Sequence, residues 1–404
     1  MKRKIKIIIV SIFTFVLLLN MWSGFIYKNN DDFVYVGFSG LKSIFNEDKF
    51  KIYFREFLEF ELNGIDGPYI FKDKSISVNK ENKIIINKSS EKRYFEVMSS
   101  DININFPVSL TDKNDIEPYK YITKSKISVI SDIEGDFELF YNYLLNNKII
   151  DKNCNWIFGS GHLICLGDFF DRGSDVTATL WLCYKLEQEA EKEGGKVHFI
   201  LGNHEINNTM GLKDYVHTKY KALSQKTNID YTEFYGKKTI LGNWLRSKNS
   251  IEIVNNILFC HGGISPIFFK QKLTINNTNV KTRQAMGIKF NEMYNIDGST
   301  KNNPLEFFVN QNSPLWYRGY FIETNLNKKI NQNQIDSITN YYKIDKIIVG
   351  HTIIDKIKTH YNGKVIGIDV PRYEKIGKNK PSTLLIENNK YYATDELGRK
   401  FDIK

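Results

Sequence analysis

Five short apolar runs in this chain each stop at a residue able to bind a metal ion or move a proton. ISVIS runs into Asp132, HLICLG into Asp168, VHFILG into Asn203, NILFC into His261 and DKIIVG into His351. Between them lie FELFYNYLLNN, helical by its apolar spacing, and VTATLWLCYKLEQEAEKEGG, a helix whose closing glycines favour a C-cap. Strands alternating with helices predict an α/β layered core, and in open α/β sheets sites collect outside the carboxyl ends of the strands. One Asp or Asn after a strand is ordinary turn chemistry. Five polar strand ends in series, each beside a glycine or closely followed by one, predict a site where backbone must approach closely.

The chain divides into three stretches. MKRKIK is basic, and the 21 residues from Ile7 to Tyr27 carry no charge, enough to cross a bilayer as a helix. Residues 1–27 therefore read as an uncleaved signal-anchor, with a cleaved signal peptide as the second choice. By the positive-inside rule, Lys2, Arg3, Lys4 and Lys6 stay cytoplasmic. The catalytic part is then extracytoplasmic, at the cell surface or in the periplasm, or exported if the segment is cut. Residues 28–122 read as a small β-rich accessory region: ISVNKENKIIINK looks like two strands around an Asn/Lys turn, and NGIDGPYIF like a turn entering a strand. Residues 123–404 carry all the chemistry.

The segments SDIEGDF, GDFFDRG, GNHE, CHGG and GHT together resemble the calcineurin-like metallophosphoesterase superfamily. GDFFDRG with LGNHE and HGG looks most like its phosphoprotein phosphatase branch, in bacterial form, over roughly residues 126–370. The resemblance implies a β-sandwich flanked by helices in α-β-β-α layers. It also implies two divalent ions, with manganese first and iron, zinc, magnesium or nickel as alternatives, which generate a hydroxide that attacks phosphorus. By resemblance Asp168 bridges the ions, Asp132 serves the first, and Asn203, His261 and His351 serve the second. His204 is implied as general acid, oriented by Asp171, and Arg172 as a phosphate clamp. Where the family pattern is Asp-x-His-Gly, this chain has Asp132-Ile133-Glu134-Gly135. Glu134 thus stands at a histidine ligand position; as a harder donor it favours manganese, magnesium or iron.

The family places a second phosphate-binding arginine between the HGG and GHT motifs, which makes Arg318 in PLWYRG the candidate, against a plain aromatic turn. Arg246 in GNWLRSKN is equally a substrate contact or a surface residue, within a helical insertion over 206–255. Glu205 orients a neighbouring ligand or simply starts a helix. His162, His198, His217 and His360 have no ligand at useful spacing and read as structural or surface residues. Cys154, Cys165, Cys183 and Cys260 fit no zinc template and read as small buried residues.

The net charge of +10 is spread rather than clustered, and basic residues do not interleave with aromatics, so nucleic acid is not the expected partner. The expectation is a metal-dependent phosphomonoesterase acting on phosphorylated protein, peptide or a small phosphomonoester. A dinucleoside polyphosphate or phosphodiester hydrolase, and a degenerate binding protein, are the alternatives. The number of subunits is left open.

Overall fold

The computed structural model describes residues 10–17, 26–30, 33–37, 60–88, 93–111, 115–295, 299–371 and 382–403. It comprises two compact units, Met1–Glu61 and Leu62–Lys404. In the first, β1 (Ile26–Asn30) and β2 (Phe33–Gly37) form an antiparallel hairpin. Among the described residues no helix is long and apolar enough to cross a membrane. Most of the expected anchor lies outside them.

The second unit is built on two six-stranded sheets. In the first sheet, β9 (Ile127–Ile130), β10 (His162–Cys165) and β11 (Lys196–Phe199) run parallel. The C-terminal strands β17 (Thr383–Glu387), β18 (Lys390–Thr394) and β19 (Lys400–Asp402) extend it antiparallel from β9. The second sheet runs β15 (Lys358–His360), β16 (Val365–Gly367), β14 (Lys346–Val349), β13 (Ile257–Cys260), β12 (Ile251–Val254) and β8 (Lys120–Tyr121).

Side-chain alternation makes these sheets a sandwich. Val129, Ile164 and Leu166 meet Phe259, Ile348 and Ile366 in one core between the sheets. Leu163 and Cys165 face the other way, into a core with α1 (Phe137–Asn146) and α2 (Val176–Lys192). Leu258, Ile347 and Val349 form a third core, which includes Ile335 and Ile338 of the helix Gln332–Tyr342. The result is the expected order of helix, sheet, sheet, helix, because strands buried on both faces must be apolar throughout.

The boundary between the two compact units falls inside the expected accessory region. Its residues to Glu61 fall in the first unit, and those from Leu62 belong to the second. The strands β3 (Asp66–Ile70), β4 (Lys74–Val78) and β5 (Ile84–Lys88), and the pair β6 (Tyr94–Met98) and β7 (Asn105–Ser109), share the helical core through Tyr69, Ile76, Val97 and Phe106. They also reach the site by charge. Lys219 is 3% exposed, lies 3.3 Å from Asp175 and 3.7 Å from Asp66, and donates to the Ile65 carbonyl. Asp175 in turn accepts from Ser99 and Ser100. The residue four beyond Asp171 is thereby tied to the 62–109 segment. All four cysteines are buried and free.

Candidate functional site

The strand ends converge as the sequence implies. Asp132 follows β9, Asp168 follows β10, Asn203 opens α3 (Asn203–Met210) after β11, His261 follows β13 and His351 follows β14. Glycine lets them close up. A Cβ on Gly202 would lie 2.3 Å from Asp168 Oδ1, and one on Gly350 would lie 2.0 Å from Ser131 Oγ and 2.6 Å from Asp132 Oδ2. Asp132, Glu134, Asp168, Asp171, Arg172 and His351 all hold positive φ, between 50° and 74°. For such residues this backbone is costly, and it persists where surrounding structure enforces it.

Among the described residues, two groups of side chains bring potential ligand atoms within 4.8 Å of one another: Asp168 with His261 and His351, and Glu134 with Asp168 and His204. Asp168 belongs to both. His261 Nδ1 lies 2.8 Å from the Leu166 carbonyl, which fixes that nitrogen as the donor. Its Nε2 then faces Asp168 Oδ2 at 2.8 Å and Asp132 Oδ1 at 4.0 Å. Burial pushes the His261 pKa down, but Asp168 and Asp132 outweigh burial and carry it up to about 10. Asp168 is pulled well below the carboxylate range: burial opposes this, and His261 and His204 overcome it. Positive charge is thus drawn to this point, whether a proton or a metal ion carries it. His351 Nε2 lies 3.0 Å from the Trp316 carbonyl, leaving Nδ1 with the lone pair, and burial, His261 and Arg318 hold its pKa well below the usual value. A neutral imidazole is what a metal requires.

The donor set fits divalent ions. Asn203 is 1% exposed, and among the described residues its buried Oδ1 has no hydrogen-bond partner. An orphaned amide oxygen there is expensive unless a cation takes it. Asp132 is oriented as a ligand would be, since its Oδ2 accepts from the Ser131 hydroxyl and from His351 N.

His204 Nδ1 lies 2.5 Å from Asp171 Oδ2, and Nε2 lies 3.7 Å from Asp168 Oδ2. Burial lowers its pKa, yet Asp168 and Asp171 raise it on balance. Arg172 is ion-paired with Glu134, so the residue at the histidine ligand position is engaged by the phosphate-clamp candidate. Arg318 Nη1 donates to the His351 carbonyl at 2.5 Å, which brings this arginine to the ligand group.

Arg246 is elsewhere occupied. It lies in the helix Ile240–Ser247 and donates to the carbonyls of Tyr235 and Gly242, both at 2.8 Å, so it serves the packing of the insertion. His162 and His198 form a buried chain apart from the site, with His162 Nδ1 2.8 Å from His198 Nε2 and His198 Nδ1 2.6 Å from Glu252. Glu205 does more than start a helix. It is fully buried and accepts from the backbone N–H groups of Asp168, Phe169 and Gly202 at 2.7–3.0 Å. It clasps the loop that carries Asp168 to the one that carries Asn203. Tyr215 was not expected: its ring lies 5.5 Å from the His204 ring and 5.6 Å from the Arg172 guanidinium. A tyrosine between two helices carries no local signal of such a place.

A two-sheet sandwich with aspartate, asparagine and histidine gathered at its strand ends defines a metallophosphoesterase. The model of the calcineurin-like phosphoesterase family matches residues 125–355, and the chain belongs to that family. It is similar to Shewanella-like protein phosphatase 1 of Plasmodium berghei (strain Anka), at 29% identity over 281 residues covering 68% of this chain and 75% of that protein. It is 33% identical to Shewanella-like protein phosphatase 2 of Arabidopsis thaliana over 116 residues, 29% of this chain and 30% of that one. Its fold matches the crystal structure of the cold-active protein-tyrosine phosphatase of a psychrophilic Shewanella species, with a TM-score of 0.74 and 31% identity over 85% of this chain and 100% of that one. The chain is accordingly a hydrolase of the phosphoprotein phosphatase branch, in a family that uses divalent metal ions.

Proposed function

We propose that this protein is a phosphomonoesterase that holds two divalent ions and removes phosphate from protein or peptide side chains. The observation that carries this reading is the place of Asp168, grouped with His261 and His351 on one side and with Glu134 on the other. A carboxylate common to two groups has the position of a bridge. Asp132 and Glu134 would hold one ion, and Asn203, His261 and His351 the other, with manganese first because Glu134 and Asn203 add hard oxygen donors. Bound there, the ions supply Lewis acidity toward a phosphoryl oxygen and an activated water.

The chain's own residues do the rest. His204, fixed through Nδ1 by Asp171, presents Nε2 as the proton donor to the leaving oxygen. Arg172 and Arg318 hold phosphoryl oxygens, and Arg172 exchanges its pair with Glu134 for the substrate. The phosphatase names of its relatives support a phosphorylated protein as substrate. The basic, then uncharged N-terminus supports a membrane anchor with the catalytic unit extracytoplasmic.

The test is hydrolysis of p-nitrophenyl phosphate after chelation and re-addition of manganese, magnesium, iron, zinc or nickel. Restoration by one or two ions is expected, with two ions bound per chain and both activity and stoichiometry lost in Asp168→Asn. Near-wild-type turnover in that variant overturns the shared-carboxylate reading. A C-terminal reporter active only in the cytoplasm overturns the topology.

A further inference from the structure

We propose that Tyr215 is a specificity-determining residue, the platform on which the leaving group of the substrate stacks, and that it favours aryl over alkyl phosphates. This deepens the function proposed above, and it rests on the reading of His204 as proton donor.

The loop between α3 and the helix Thr218–Thr227 is held from several sides. Leu212 N donates to the Asn207 carbonyl at 3.0 Å, and Lys213 pairs with Asp230 at 2.9 Å. Val216 is 2% exposed, and the His217 side chain accepts from Lys219 N to cap the following helix. Arg172 N donates to the Tyr215 carbonyl at 2.9 Å, which ties the loop to the DRG segment. The backbone of Tyr215 is therefore tied to the site, yet the residue is 54% exposed. A large ring kept half in solvent on a pinned loop is available to a ligand.

Its position selects the ligand. The ring is tilted 55° to His204 with centroids 5.5 Å apart, and the Arg172 guanidinium sits 5.6 Å from its centroid. A proton donor must lie within hydrogen-bond reach of the oxygen it protonates. The leaving oxygen is therefore next to His204, and the group attached to it passes the neighbouring tyrosine. The clamp that holds the phosphoryl oxygens lies on the same ring. A planar leaving group there gains an offset or edge-to-face contact, whereas a serine or threonine side chain leaves too little surface to cover the ring.

The alternative role is support, in which the ring merely steadies Arg172 or His204. The two roles separate by substrate. Tyr215→Leu keeps an apolar side chain of useful size and leaves the backbone acceptor of Arg172 in place, while Tyr215→Phe keeps the ring. Each is assayed on two peptides of the same flanking sequence, one phosphotyrosyl and one phosphoseryl. In Tyr215→Leu, kcat/KM for the phosphotyrosyl peptide is expected to fall about tenfold more than for the phosphoseryl peptide, the scale of one aromatic pair. Tyr215→Phe is expected to retain the wild-type ratio. Far-ultraviolet circular dichroism and the urea midpoint report that each variant is folded. An equal fall on both peptides makes Tyr215 a support and overturns the proposal, and so does an unchanged ratio in Tyr215→Leu. If the wild-type protein hydrolyses neither peptide with any divalent ion, the phosphomonoesterase reading itself fails and takes this inference with it.

Discussion

His204 Nδ1 lies 2.5 Å from Asp171 Oδ2, while the other nitrogen of the same ring faces Asp168. One carboxylate holds the imidazole and, on the proposed reading, the other marks where the reacting group comes. His204→Ala should therefore cost roughly 10²–10⁴-fold in kcat on alkyl phosphates, the usual worth of a placed acid, and much less on an activated aryl phosphate. Equal losses on both substrates would remove the proton-donor assignment.

The same contact sets a pH dependence. Burial pushes the His204 pKa down, and the carboxylates of Asp168 and Asp171 more than offset it, so the folded value lies above the ordinary one. A donor acts below its pKa, so the raised value extends activity toward alkaline pH. Asp171→Asn removes one of the raising charges, and the alkaline limb of the kcat profile should move to lower pH. An unmoved or alkaline-shifted limb would contradict the assignment.

The convergence of Asp132, Asp168, Asn203, His261 and His351 was legible because each follows an apolar run of strand length, and period and punctuation are local signals. The left-handed backbone at Glu134, Arg172 and His351 was not, since nothing in a residue's neighbours announces it when glycine is absent. Nor was the reach of Glu205 back to Asp168 and Phe169, or the packing of Tyr215 on His204: both join parts of the chain that only the finished fold brings together. The C-terminal strands β17 to β19 were passed over for the opposite reason. They carry no chemistry, and they extend the sheet from β9 without contributing to the motifs.

Lys219 has no counterpart in the motifs, yet it neutralises two carboxylates that are both at least nine-tenths buried, Asp66 and Asp175. Burial already raises the Asp66 pKa, and Lys219 is the first group that opposes it. Lys219→Met should destabilise the protein by roughly 3–5 kcal/mol, the cost of leaving a buried charge uncompensated. Urea unfolding would measure it. A loss below about 1 kcal/mol, as for an exposed pair, would show that the cluster is not what holds the 62–109 segment to Asp175.

Glu117 gives a stability that depends on acid. Burial raises its pKa, but Lys248 at 3.2 Å and Lys196 at 2.8 Å win, and the folded value falls to about 2. Because the folded pKa is depressed, the stabilisation is present above the unfolded value near 4.5 and is lost as pH falls toward 2. Glu187, on Lys248 from the other side, is pushed up by burial and works in the opposite sense. The urea midpoint of wild type should drop between pH 6 and pH 3, and Glu117→Gln should flatten part of that drop. An undiminished drop in the variant would assign the acid sensitivity to other carboxylates.

Glu134 is bound to Arg172 and also grouped with Asp168 and His204, so two roles compete for one carboxylate. As a ligand it donates a hard oxygen; as the partner of Arg172 it restrains the phosphate clamp. Glu134→His substitutes a softer donor and frees Arg172 in one step. If Glu134 ligates, the variant should shift its preference from manganese or magnesium toward zinc, with roughly 10–100-fold weaker binding of the original ion, the scale of a perturbed ligand environment. Glu134→Gln separates the second role, since it keeps an oxygen but drops the charge. It should lower KM by freeing Arg172 while preserving the order of metal preference. A metal preference unchanged in both variants, with KM lowered in both, would assign Glu134 to Arg172 alone and leave the first ion to Asp132 and Asp168.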